Sequence, residues 1–147
     1  MEFLKLVALD EVDLGILSAH LQDAVAKVSD LSFERSEKRF AVAFNRFVWE
    51  KEVRRTAFRR SPHERRRAIL HFDRVLTVRA IGIDRNRPND VLSLLAINFI
   101  AGEAPSGTIE LIFSGDTAIR LEVECIEARL TDLGAAWETA SRPAHDL

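Results

Sequence analysis

The first residues, FLKLVAL at 3 to 9, are mostly apolar and short in extent, and they predict a strand. Asp10 follows as a helix N-cap with Asp13 in the first turn, where a carboxylate faces the free amides of the helix start. Leu14, Leu17, Leu21 and Val25 then recur at helical spacing, so a helix with one apolar face is expected over about 11 to 24. VAKVSDLSF (25 to 33) and RFAVAFNRFVWE (39 to 50) flank the charged ERSEK and predict a hairpin with a loop too long for a tight turn. In the second stretch Phe40, Val42, Phe44 and Val48 share one parity and Ala41, Ala43, Phe47 and Trp49 the other, the pattern of a strand covered on both faces.

Downstream, AILHFDRVLTVRAIGI (68 to 83) places Ala68, Leu70, Phe72, Leu76, Val78 and Ala80 on one parity, interrupted by Arg74. A long strand is expected there, bent or bulged near Asp73 and Arg74. DRNRPND (84 to 90) has turn composition, VLSLLAINFIA (91 to 101) reads as a strand, and GEAPSG as a loop. Ile109, Leu111 and Phe113, then Ile119, Leu121 and Val123, alternate with polar neighbours on either side of Ser-Gly-Asp, which predicts a hairpin. From Ile126 the period changes: Ile126, Leu130, Leu133 and Trp137 lie at helical spacing and predict a terminal helix packed on the sheet, with Gly134 able to end it. The fold class expected is α+β, an antiparallel, strongly bent sheet or partly closed barrel of about seven strands with an N-terminal and a C-terminal helix. The closing hairpin and amphipathic helix resemble the ending of pleckstrin-homology-like barrels, an architectural likeness that establishes no ligand.

Composition narrows the class without naming an activity. With 147 residues, 47% of them hydrophobic and 30% charged, the chain is expected to form one globular domain over 1 to 140, with a patternless, mobile tail at 141 to 147. No apolar run approaches the roughly 20 residues that cross a bilayer, and the N-terminus has no signal-peptide pattern, so a cytoplasmic address is expected. Cys125 is the single cysteine, which excludes an intrachain disulfide and every site that needs a cysteine pair.

Particular stretches carry a further resemblance. FLKLVALDEVDLGILSAHLQDAVAKVSDL, HFDRVLTVRAIGIDR, VLSLLAI and IRLEVECIEARLTDLGAAWETASRPAHD resemble a small bacterial family, mostly alphaproteobacterial, catalogued as a domain of unknown function. The likeness runs from end to end of the chain. It implies no activity and no site residues.

Catalytic signatures are absent. There is no glycine-rich dinucleotide loop, phosphate-binding loop, HExxH or GxSxG, and no two of His20, His63, His71 and His145 share a ligand spacing, so neither a metal nor a cofactor is expected. The best local candidate for acid–base chemistry or a small-ligand pocket is His71, Asp73 and Arg74 at the expected bend. On a strand His71 and Asp73 share a side and Arg74 faces away, and the structural reading is that Arg74 pairs with a carboxylate to hold the bend.

The charge pattern gives the leading candidate. Residues 49 to 72 hold eight basic side chains against three acidic ones, so this stretch carries +5 and the remainder −7. Arg54, Arg55, Arg59, Arg60, Arg65, Arg66 and Arg67, with Trp49 and Phe58 among them, form a candidate surface for an acidic protein partner or for self-association. The leading reading is therefore a non-catalytic binding or adaptor domain. RNA is the alternative partner, its phosphates met by arginine and its bases by the aromatic rings. Against RNA stands a pI of about 6.1, where nucleic-acid domains run basic. Ser61, Pro62 and Glu64 resemble a capped helix start, which would put Arg65 to Arg67 on a short helical turn. The acidic stretch 122 to 138, with Glu122, Glu124, Glu127, Asp132 and Glu138, offers a complement within the chain.

Overall fold

A computed structural model describes residues 3–48 and 65–134, and these form one rolled antiparallel sheet with a single α-helix. Strand β1 (Lys5–Ala8) leads into α1 (Glu11–His20), whose start is fixed as the sequence predicts: the Asp13 amide donates to Asp10 Oδ1 at 2.8 Å. The helix stops earlier than its apolar spacing predicts. Asp23 takes a left-handed backbone conformation (φ 64°) and donates its N–H to Leu94 O, which turns the chain into β2 (Val25–Lys27). A 3-10 turn at Val28–Asp30 separates β2 from β3 (Leu31–Glu34), and a second at Arg35–Glu37 reverses the chain into β4 (Arg39–Phe47).

The expected bend is present. β5 (Arg65–Phe72) passes into β6 (Val75–Ile81) through Arg74, whose φ of 64° is a conformation β-structure does not use. Then come β7 (Val91–Ala101), β8 (Gly107–Phe113), β9 (Thr117–Val123) and β10 (Ala128–Asp132). Every ladder is antiparallel and the order is β1-β10-β5-β4-β2-β7-β8-β9-β6, with β3 added to β4. The sheet rolls over without closing.

Three expectations are corrected. Among the described residues there are ten strands rather than about seven, because the bends and 3-10 turns divide longer runs. The terminal helix is not formed over its first part: 128 to 132 is β10, pairing with β1 on one side and β5 on the other. There Ala128, Leu130 and Asp132 are buried while Arg129 is exposed. The strand wins because two flanking edges supply backbone partners on both sides, which a helix would leave unpaired. Trp137 and the tail lie outside the described residues. Arg65 to Arg67 likewise form no helical turn; they open β5 in register with Phe47, Arg46 and Asn45 of β4.

Two bulges also shift parity. In β7 the register slips between Leu94 and Ala96, so Leu95 is left exposed and the inward set moves from Leu92 and Leu94 to Ile97. In β6 it slips between Val75 and Thr77, leaving Val75 buried and Leu76 exposed.

The core consists of cross-strand rows such as Phe40, Phe72 and Ala128, and Val42, Leu70 and Leu130, facing Ile109, Leu111, Ile119 and Leu121 from the far half of the roll. α1 covers one end through Leu14 and Leu17, and its Ser18 hydroxyl accepts the Ile97 amide at 2.9 Å. No helix among the described residues is long and apolar enough to cross a membrane.

Candidate functional site

Three places gather charge or a cavity, and they differ in how far the fold has already used their side chains. The first lies where β4, β5 and β10 run side by side. Arg46 continues the inward parity of Phe40, Val42 and Phe44, and Asp132 continues that of Ala128 and Leu130, so the fold carries both charges into the interior. They meet in a two-pronged pair, Arg46 Nε to Oδ1 at 2.8 Å and Nη2 to Oδ2 at 2.6 Å, with both side chains wholly buried. The Leu4 amide donates to Asp132 Oδ2 at 2.9 Å and the Asp132 amide to Leu4 O, so the same residue anchors the chain's beginning. Arg66 lies 3.7 Å from Asp132 and stacks on the Phe3 ring. This is a structural centre.

That placement redistributes the arginine run. Arg66 is buried against Asp132, and Arg67 bonds Asp30 at 3.0 Å. Arg65 is exposed, with its guanidinium 4.3 Å above the Phe47 ring. Arg54, Arg55, Arg59, Arg60, Trp49 and Phe58 lie outside the described residues.

The second place is the bend. His71 and Asp73 share a side, as strand parity predicts, but 3.6 Å separates His71 Nε2 from Asp73 Oδ2, beyond a hydrogen bond. Asp73 is instead held by Arg39 Nε at 2.8 Å, and that bond raises the Arg39 pKa further above its ordinary value. Burial lowers the His71 pKa, with the Asp73 charge opposing it, so the imidazole is neutral near pH 7. Arg74 turns away to Glu127 at 3.4 Å and Glu124 at 3.8 Å, while Lys38 bonds Glu124 at 2.9 Å and lowers its carboxyl pKa. The backbone joins in: Asp73 N–H reaches Glu127 O, Glu124 N–H reaches Arg74 O, and Val75 N–H reaches Lys38 O. These groups tie the bend between β5 and β6 to the connection between β9 and β10 and to the turn before β4.

The third place is a groove of about 470 Å³ where the roll fails to close, and sequence patterning gave no sign of it. Among the described residues β3 pairs with β4 alone and β6 with β9 alone, and their other edges flank a wedge. The Val75–Lys38 hydrogen bond pins one end. At the other, Ser29 N–H to Pro88 O and Val28 N–H to Asp90 O tie the loop after β6 to the first 3-10 turn. Phe40 and Ile119 of the core form the floor, and the half-buried Leu31, Phe33, Val78 and Ile83 form the walls. Arg35 and Arg85 stand exposed at the rim, Arg35 stacked 5.5 Å over Phe33. Among the described residues neither makes an ion pair, and no aspartate or glutamate lines the groove. Two smaller depressions, of about 250 and 330 Å³, lie on the outer face around Thr77 and Arg120 and beside α1 at Gly15. His71, Asp73 and Arg74 line none of the three.

Among the described residues no three His, Cys, Asp or Glu side chains converge as a metal site would require. No curated protein and no solved structure matches the chain. The family described as "Protein of unknown function (DUF2948)" matches residues 4–145, which spans the rolled sheet and its helix, and the chain belongs to that family.

Proposed function

We propose that this protein is a non-catalytic binding domain that receives an acidic protein partner in the wedge between β3 and β6. The observation that carries this reading is the combination found there: half-buried Leu31, Phe33, Val78 and Ile83 line a groove down to the core, and two arginines without ion partners among the described residues stand at its rim. Arginines elsewhere in the described structure show the contrast. Arg39, Arg46, Arg67, Arg74, Arg87 and Arg120 are each engaged by a carboxylate; Arg65, Arg79 and Arg129 are exposed without one among the described residues but do not line this groove, whereas Arg35 and Arg85 keep their charge available at its mouth. An apolar floor supplies the burial and a one-signed rim selects the partner's charge. The groove's volume is within the range of ordinary binding sites.

The test is a titration of fluorescein-labelled, end-capped peptides, one alternating Glu with Val and one alternating Lys with Val, against wild type and against R35E/R85E. Wild type is expected to bind the Glu peptide and not the Lys peptide, more tightly as salt falls. The double variant should lose about tenfold or more in affinity for the Glu peptide, since each contact is worth on the order of 1 kcal/mol. Equal binding of both peptides, or binding of neither, overturns the reading.

A further inference from the structure

Two features of the wedge are not explained by an apolar floor and a charged rim. β3 and β6 both present backbone edges to it without a ladder partner among the described residues, and the hydrogen bonds at its two ends hold those edges apart at a fixed place. An unpaired edge carries a row of N–H and C=O groups, and proteins normally blunt or cover such edges. Among the described residues no strand pairs with β6 on that side, and beyond the Val75 amide its edge opens on the groove.

We infer that the partner supplies an extended segment that enters the wedge as an added strand on β6, an inference that rests on the binding reading above. β6 is the longer edge, seven residues against four in β3, and its inward Val78 shares the groove wall with Leu31 and Phe33 opposite. A segment laid along it places alternate side chains on the two faces of the sheet. Those pointing in meet Phe40 and Ile119; those pointing out pass Arg35 and Arg85 at the rim. The incoming segment is therefore apolar at every second position and acidic between. The stretch facing β3 spans about four residues, roughly 13 Å at strand rise, and main-chain hydrogen bonds give affinity while the alternate pockets give selection. A small amphipathic carboxylate would use the floor and the arginines but leave both edges unpaired, which is why a strand is the better occupant.

The experiment uses the Glu–Val peptide with N-methyl groups placed in two separate sets, on every Glu amide or on every Val amide. In an added strand one set donates to β6 and the other does not. One methylated peptide should lose about tenfold or more in affinity and the other stay close to the parent, since each lost hydrogen bond costs on the order of 1 kcal/mol. Amide exchange on the intact protein should slow at 77 to 81 when the parent peptide is bound. If both methylated peptides bind like the parent and β6 exchange is unchanged, the partner docks by side chains and strand addition is overturned, while the binding reading survives. If the unmethylated peptide does not bind, the binding reading itself has failed.

Discussion

The buried end of the sheet and the open wedge treat arginine in opposite ways. Around Asp132, Arg46 is taken fully out of water and matched by a two-pronged carboxylate, so its charge is neutralised inside the fold. At the wedge, Arg35 and Arg85 remain hydrated, and no carboxylate among the described residues pairs with them. A chain with 17 arginines and 4 lysines cannot be read for function by counting basic residues. What separates a structural arginine from one available to a partner is whether the fold carries its carboxylate beside it.

The sharpest way to break this contrast is at Asp132. Asp132→Ala leaves the Arg46 charge buried without its partner and removes the acceptor for the Leu4 amide, so unfolding stability in urea should fall by about 3–5 kcal/mol with the slope m unchanged. A loss below about 1 kcal/mol would put the pair in contact with water and erase the distinction. The bend comes next. Because burial lowers the His71 pKa in the folded state, the unfolded chain binds the proton more readily. The stabilising contribution of the neutral ring is complete above the unfolded value near 6.5 and disappears as pH falls through the lower folded value. His71→Gln should flatten the stability profile of the wild type on the acid side of pH 6.5; unchanged curvature would assign the acid sensitivity to other groups. The smallest effect is expected at the wedge: Arg35→Ala and Arg85→Ala should each change stability by no more than about 0.5 kcal/mol while weakening the acidic peptide. A large stability loss there would make these arginines structural after all.

Much of the roll was legible from patterning. The alternation of Ile109, Leu111 and Phe113 with Ile119, Leu121 and Val123 gives β8 and β9 directly, Asp10 marks the start of α1, and Arg74 marks the bend. β10 was misread because its third inward residue is a charged one. With Asp132 counted as polar, Ile126, Leu130 and Leu133 left a helical spacing, and the partner that makes a buried aspartate tolerable lies on a strand far away in sequence. Arg46 offered a signal that could have been used, since it shares the parity of Phe44 and Val48. Leu76 and Leu95 illustrate a different loss, because a bulge reverses parity in the middle of a strand and no residue type announces it. The wedge was illegible for a deeper reason. Its arginines sit in unrelated turns, at 35 and 85, and only the curvature of the whole sheet makes them neighbours of one groove.

The Arg46–Asp132 pair also has a bearing on the order of events in folding. Its members are 86 residues apart, and the strand that brings the carboxylate is the last one described. A nascent chain that has made β4 and β5 must keep Arg46 in water until β10 arrives, so the far side of the sheet cannot lock early. Closing so long a loop before its contacts form is a slow step, and it delays commitment until β10 has been made. On this view the buried ion pair acts as a late checkpoint, making a prematurely ended chain an incomplete sheet rather than a smaller stable domain.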